Sequence, residues 1–158
     1  MEENYIILLR ESLEKKVEIL KEIVQLNIEQ KDILEDKTSP VDEFDRNVSS
    51  KDALVQKITK LDDGFDEVFK KVSEELDSNR EKYASEIKLM QDLIREITDL
   101  SSKVQAQEKE NYTLAKNKFS GVRKQVQRVR QSKDKVNTYY KNMTKANYYD
   151  PQFLDQKN

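Results

Sequence analysis

The stretch from Arg80 to Arg130 reads REKYASEIKLMQDLIREITDLSSKVQAQEKENYTLAKNKFSGVRKQVQRVR and contains no proline. In its first half Tyr83, Ile87, Met90, Ile94, Ile97 and Val104 step by three and four, with Ser101 filling one place, which is the spacing of a single buried helix face. A polar gap from Gln105 to Asn111 follows. Tyr112, Ala115, Phe119, Val122, Val126 and Val129 then form a second stripe at the same period. The first half mixes charges and the second is almost free of acids. This pattern predicts one long helix that joins a bundle at its start and offers a basic, amphipathic surface at its end.

Composition agrees with long helices around a narrow seam. Of 158 residues, 38% are charged and 35% hydrophobic, with two glycines and two prolines, which is too polar for a compact sheet protein. The expectation is a single elongated all-α domain over residues 1–130, followed by a partly ordered tail over residues 131–158. Cysteine and histidine are both absent, so disulfides, thiolate metal sites and the usual bases and nucleophiles of neutral pH are excluded. The remaining carboxylates alternate with lysines as solvated helix faces do, and the reading is a binding protein that needs no cofactor, not an enzyme. The acidic start Met1-Glu2-Glu3-Asn4 is unlike a signal peptide, and the longest apolar run near it, Tyr5 to Leu9, is far short of the ~20 residues that span a bilayer. A cytoplasmic location is the expectation.

Outward from the central stretch, Ile6, Leu9, Leu13, Val17, Leu20 and Val24 predict a first helix over about 4–36, with Ile19, Ile23, Leu26 and Ile33 as a second stripe beside it. A second helix starts at Ser39-Pro40-Val41-Asp42 or at Ser49-Ser50-Lys51-Asp52; the sequence leaves both open. Its seam, Leu54, Ile58, Leu61, Phe65, Val68, Val72 and Leu76, alternates four and three as coiled-coil packing requires. A helix unbroken from Ser50 to Arg130 would be about 120 Å long, so the chain must turn. Asp77-Ser78-Asn79 is the best hinge, with Ser78 and Glu81 as a capping box for the next helix. The expected architecture is an elongated antiparallel three-helix coiled-coil bundle with an overhanging C-terminal helix.

Asp62-Asp63-Gly64 does not make a calcium loop, because with Gly64 as the loop glycine the ligand positions before it fall on Asp63, Leu61 and Thr59, and Leu61 has no oxygen to offer. The charge asymmetry is more informative. Between Lys116 and Lys145 stand ten Lys/Arg and one acid, Asp134, on a chain whose net charge is −2. This segment could neutralise phosphates, lie on an anionic membrane, dock a partner helix, or simply pack its stripe on the N-terminal half of the first helix. Tyr139, Tyr140, Tyr148, Tyr149 and Phe153 add an aromatic cluster of the kind that anchors interfaces.

The layout of the helices, the run Lys57-Ile58 through Leu61-Asp62-Asp63-Gly64-Phe65, and the ending Tyr139-Tyr140-Lys141-Asn142-Met143 followed by Asp150-Pro151-Gln152-Phe153-Leu154-Asp155 resemble the FlgN family of bacterial flagellar type III export chaperones, in the form found in Gram-positive bacteria. The resemblance implies a cytoplasmic chaperone that binds hook-associated (hook–filament junction) proteins as clients, prevents their premature assembly and delivers them to the flagellar export gate. It places client binding on the C-terminal helical region, here Tyr112, Phe119, Val122, Val126, Val129, Val136, Tyr139, Tyr140 and Met143, with Tyr139 or Tyr140 as the counterpart of a gate-docking tyrosine. It implies neither nucleic-acid binding nor stable membrane insertion, and homo-oligomerisation stays open. The rival readings are an oligomerising structural coiled coil and a basic nucleic-acid or membrane-surface binder.

Overall fold

A computed structural model describes the backbone of residues 2–145 and the side chains of residues 4–138. The described residues form four helices, α1 (Glu2–Glu35), α2 (Val41–Ser78), α3 (Ala84–Lys118) and α4 (Arg123–Lys145). The expected all-α bundle is present, and α1, α2 and α3 make its body. The Arg80–Arg130 run, however, is not one helix. It breaks after Lys118, and its last part packs back on α3 as α4 instead of running straight on. Residue 130 lies inside α4.

Cross-helix pairs fix the directions. Arg10 meets Glu86, Lys21 meets Glu96 and Lys31 meets Glu110, so α1 and α3 run parallel. Lys16 pairs with Asp62 and Asn27 with Lys51, so α2 is antiparallel to α1. Gln105 bonds Asn137 and Tyr112 bonds Arg130, so α4 descends along α3, while Arg128 reaches Asp45 on α2.

Each helix end has a local cause. After α1, the Asp36 carboxylate accepts the Thr38 N–H at 2.8 Å and the Thr38 hydroxyl at 2.7 Å, a side-chain turn that competes with further helix. Those bonds hold the Asp36 carboxyl below its ordinary range, with Lys118 adding to the effect. Pro40 then starts α2 with Asp42 and Glu43 in the first turn, where acids suit the helix dipole. Of the two starts left open, the earlier is the real one. Ser39 does not cap α2; its hydroxyl turns back to the Ile33 carbonyl at 2.7 Å. The second turn falls at the expected hinge, because α2 ends at Ser78 and Asn79 donates its N–H to Glu75 at 3.1 Å. The Asn79 side-chain amide also donates to the Glu75 carbonyl at 3.1 Å, but the expected Ser78–Glu81 capping box does not start α3: Tyr83 takes the position before it, without a side-chain cap.

The third turn was not expected. Phe119 donates to the Ala115 carbonyl at 2.9 Å, Val122 donates to the Phe119 carbonyl at 2.8 Å, and Gly121 between them has φ +86°. That left-handed conformation favours glycine, so Gly121 lets the chain reverse within Phe119–Val122.

The core is divided. The larger cluster holds most of the three predicted seams, including Leu9, Leu13, Ile58, Val72, Met90 and Ile97, with Leu54 and Val68 partly buried against it and Leu61 half-buried outside it. A smaller one gathers Leu34, Phe44, Val48, Ala115, Phe119 and Val129, with the Phe44 and Phe119 rings tilted at 57° and 4.9 Å apart. Between the clusters lies a buried polar layer made by the Gln105–Asn111 gap. Asn27, Gln30, Asn47, Lys51, Glu108 and Asn111 are all buried there. Gln30 donates to Asn47 at 2.9 Å, Asn111 to Gln30 at 3.1 Å and Asn47 to the Leu26 carbonyl at 2.9 Å. Lys51 Nζ bonds Asn27 at 3.1 Å and sits 2.6 Å from Glu108 Oε1. The gap is therefore where three helices exchange hydrogen bonds, not where α3 leaves its neighbours. Buried polar groups with partners in this geometry fix register.

Candidate functional site at the turn between α3 and α4

The end of α3 is tied to the bundle by a basic side chain. Lys118 Nζ donates to the Ile33 carbonyl at 3.0 Å, to the Asp36 carbonyl and to Ser39 Oγ at 2.8 Å. It thereby supplies donors to carbonyls left over at the C-terminus of α1, the negative end of that helix. With that corner fixed, Phe119 turns inward and the residues after it, Ser120 to Lys124, stand exposed.

Of the residues expected to hold a partner, the structure buries three. Phe119 and Val129 belong to the smaller core cluster, and Val136 joins the larger one beside Leu20, Ile58 and Val104. These three pack on the molecule itself, but not as one stripe on the N-terminal half of α1: Phe119 and Val129 cluster with Leu34 near the C-terminal end of α1 and with Phe44 and Val48 on α2. The reversal at Gly121 folds their stripe inward, which a straight overhanging helix would have left open. Val122 is 49% exposed, and Val126 and Tyr112 are half-buried. The side chains of Tyr139, Tyr140 and Met143 lie outside the described residues, as does the whole of the 146–158 segment.

Val122 and Val126, with Phe119 beneath them, floor an open groove of about 620 Å³ whose rim carries Lys116, Arg123 and Arg130. No acid lines it. Arg123 and Lys124 occupy the first turn of α4 without any acidic residue there, although cations are disfavoured at that positive helix end. Arg128 faces the other way and is paired with Asp45 at 2.6 Å. Beside the groove, Tyr112 Oη accepts from Arg130 Nε at 3.1 Å and Nη2 at 2.9 Å, which together with the charges of Arg130, Lys116 and Lys133 holds the phenol below its ordinary pKa. The ring is surrounded by Lys116, Arg130 and Lys133 at 5.3, 5.7 and 4.9 Å from its centroid. The result is an apolar floor with a cationic rim, held on a fixed corner.

No histidine, cysteine or carboxylate among the described residues lines the groove. Among the described residues no group of acidic side chains could hold a metal ion, and no helix is long and apolar enough to cross a membrane. The polar layer and the second core cluster, with Phe44 and Val48, are the features that hydropathy alone missed; the alternation Phe44, Val48, Lys51 at helix spacing is the signal for them.

No curated protein and no solved structure matches the chain. Residues 1–147 match the protein family described as FlgN protein. That match covers all four helices, and the chain therefore belongs to the FlgN family of flagellar export chaperones, cytoplasmic and non-enzymatic helical proteins whose clients are hook-associated proteins.

Proposed function

We propose that the chain receives the terminal segment of a hook–filament junction protein at the α3–α4 end of the bundle, keeps it from assembling early and hands it to the flagellar export gate. The observation that carries this reading is Val122, 49% exposed in a groove with Val126 at its floor and, among the described residues, free of acids. An apolar strip of this kind can cover one face of a client segment that becomes helical on packing. Because the strip is short and its rim polar, the complex stays weak enough to be released at the gate.

In this reading Tyr112, Val122 and Val126 touch the client. Phe119, Val129 and Val136 act from the core by holding α4 in position. Tyr139, Tyr140 and Met143, whose side chains lie outside the described residues, are assigned to the client by family resemblance, and Tyr139 or Tyr140 to the gate.

Val122→Asp tests the surface without opening the core, and Val129→Ala tests the core without touching the surface. With purified hook-associated client, Val122→Asp should lose at least about tenfold in affinity while keeping the wild-type melting curve. Val129→Ala should lower the melting temperature and leave binding at low temperature nearly intact. Unchanged client affinity in Val122→Asp would remove the groove from the binding surface.

A further inference from the structure

We propose that the partner element fitting the α3–α4 groove is an acidic amphipathic helix, one whose apolar side meets Val122 and Val126 and whose flanking carboxylates meet Lys116, Arg123 and Arg130. This rests on the docking role given to the groove above and names the chemistry that the groove selects. Its volume of about 620 Å³ admits several side chains, not a lone ion. Among the described residues three cations rim it and no acid lines it. The only acid on the described part of α4 is Asp134, beyond the groove. A helix bringing carboxylates on either side of an apolar stripe satisfies floor and rim together, and opposite charge across a rim both steers encounter and rejects the wrong partner.

A nucleic acid fits less well, although the same cations could face phosphates. The valine floor gives phosphates nothing, and the Tyr112 ring is already surrounded by three cations instead of being open to stack a base. The positive surface is also short. A chain with ten Lys/Arg against one acid between Lys116 and Lys145 still has a net charge of −2, so the rest of the molecule is acidic and repels a long polyanion.

The test uses the full chain and fluorescence anisotropy. The probes are a labelled amphipathic peptide of about twenty residues with leucines at helical spacing flanked by glutamates, its sibling with lysines for the glutamates, and a single-stranded DNA of about twenty nucleotides, each at rising salt. The acidic peptide should bind at least about tenfold more tightly than the lysine peptide and weaken as salt rises. Lys116→Glu/Arg123→Glu should reverse that preference, and Lys116→Gln/Arg123→Gln should abolish it, with melting curves confirming that both variants fold. Equal binding of the two peptides, an unchanged preference in both variants, or tighter binding of the DNA than of the acidic peptide would overturn the proposal. A parallel titration with purified hook-associated client separates the two readings. Client binding by wild type and by both variants alike defeats the acidic-helix proposal and leaves the chaperone's docking role standing. Selective binding of the acidic peptide by a chain that binds no client defeats the docking role instead.

Discussion

Replacing Lys51 by methionine should be among the most damaging single changes in this protein, and the structure says why. Lys51 and Glu108 are both completely buried, with Nζ 2.6 Å from Oε1. Apart from that contact neither Glu108 oxygen has a hydrogen-bond partner among the described residues. Lys51 is better provided for, since Nζ also bonds Asn27 at 3.1 Å. Removing one member of a buried pair leaves an uncompensated charge at a cost of about 3–5 kcal/mol, a large part of the ~5–15 kcal/mol that holds a domain folded. Lys51→Met strands a carboxylate with no other donor. Glu108→Leu strands an ammonium that keeps one amide oxygen, and should cost less. The double variant removes both charges and fills the layer with apolar volume, so it should recover most of the loss, because apolar replacement of a whole buried pair is often neutral or stabilising. Urea unfolding followed by helical circular dichroism gives the three free energies and the coupling between the sites. A Lys51→Met loss below about 1 kcal/mol, or a double variant as unstable as the sum of the singles, would refute the argument.

Two further outcomes follow from single residues. Burial holds the Lys16 pKa below its ordinary value of 10.5, with the Asp62 carboxylate at 2.7 Å opposing the shift. Between the lowered native pKa and 10.5 the unfolded chain binds the extra proton, so Lys16 makes stability rise with pH there. The stability of wild type minus that of Lys16→Met, measured by urea unfolding at pH 7 and at pH 10, should therefore grow with pH; a flat or falling difference contradicts the assignment. The two glycines should respond in opposite directions. A Cβ at Gly64, inside α2, meets nothing within 4 Å, so Gly64→Ala should stabilise by about 0.5–1 kcal/mol. Gly121→Ala meets nothing either, yet its φ of +86° should make it cost about 1–2 kcal/mol, and thermal melts of the two variants compare the effects directly.

The seams of α1, α2 and α3 were legible because each repeats over many turns, so every predicted apolar position in the first half of the central stretch, from Tyr83 to Val104, is buried. The hinge at Asn79 was legible because short polar side chains stop the seam there. What hydropathy hides is the reversal at Gly121. The stripe from Phe119 through Val122 to Val126 keeps helical spacing across the turn, and periodicity reports spacing without direction. The local signal is Ser120-Gly121 following Lys116 and Lys118, a glycine past a basic last turn. The polar layer is hidden for a related reason. Gln105–Asn111 has the composition of a solvated segment, and only the matching Asn27, Gln30, Asn47 and Lys51 on two other helices make it an interior one.

That reversal also decides how much sticky surface the free protein carries. A straight continuation of α3 would have held Phe119, Val122, Val126 and Val129 in water together, an apolar strip at risk of indiscriminate association. Folding back buries Phe119 and Val129 against Phe44 and Val48 and leaves only Val122, with part of Val126, at the surface. The cations that accompanied the strip are not buried with it. Arg123, Lys124 and Arg130 remain exposed, so the charge around the remaining apolar spot is greater than the spot itself would require for solubility. A surface with little apolar area and much charge selects partners chiefly by electrostatic match and lets them go readily. Those are the properties that a carrier needs when it must hold a client in transit and then surrender it.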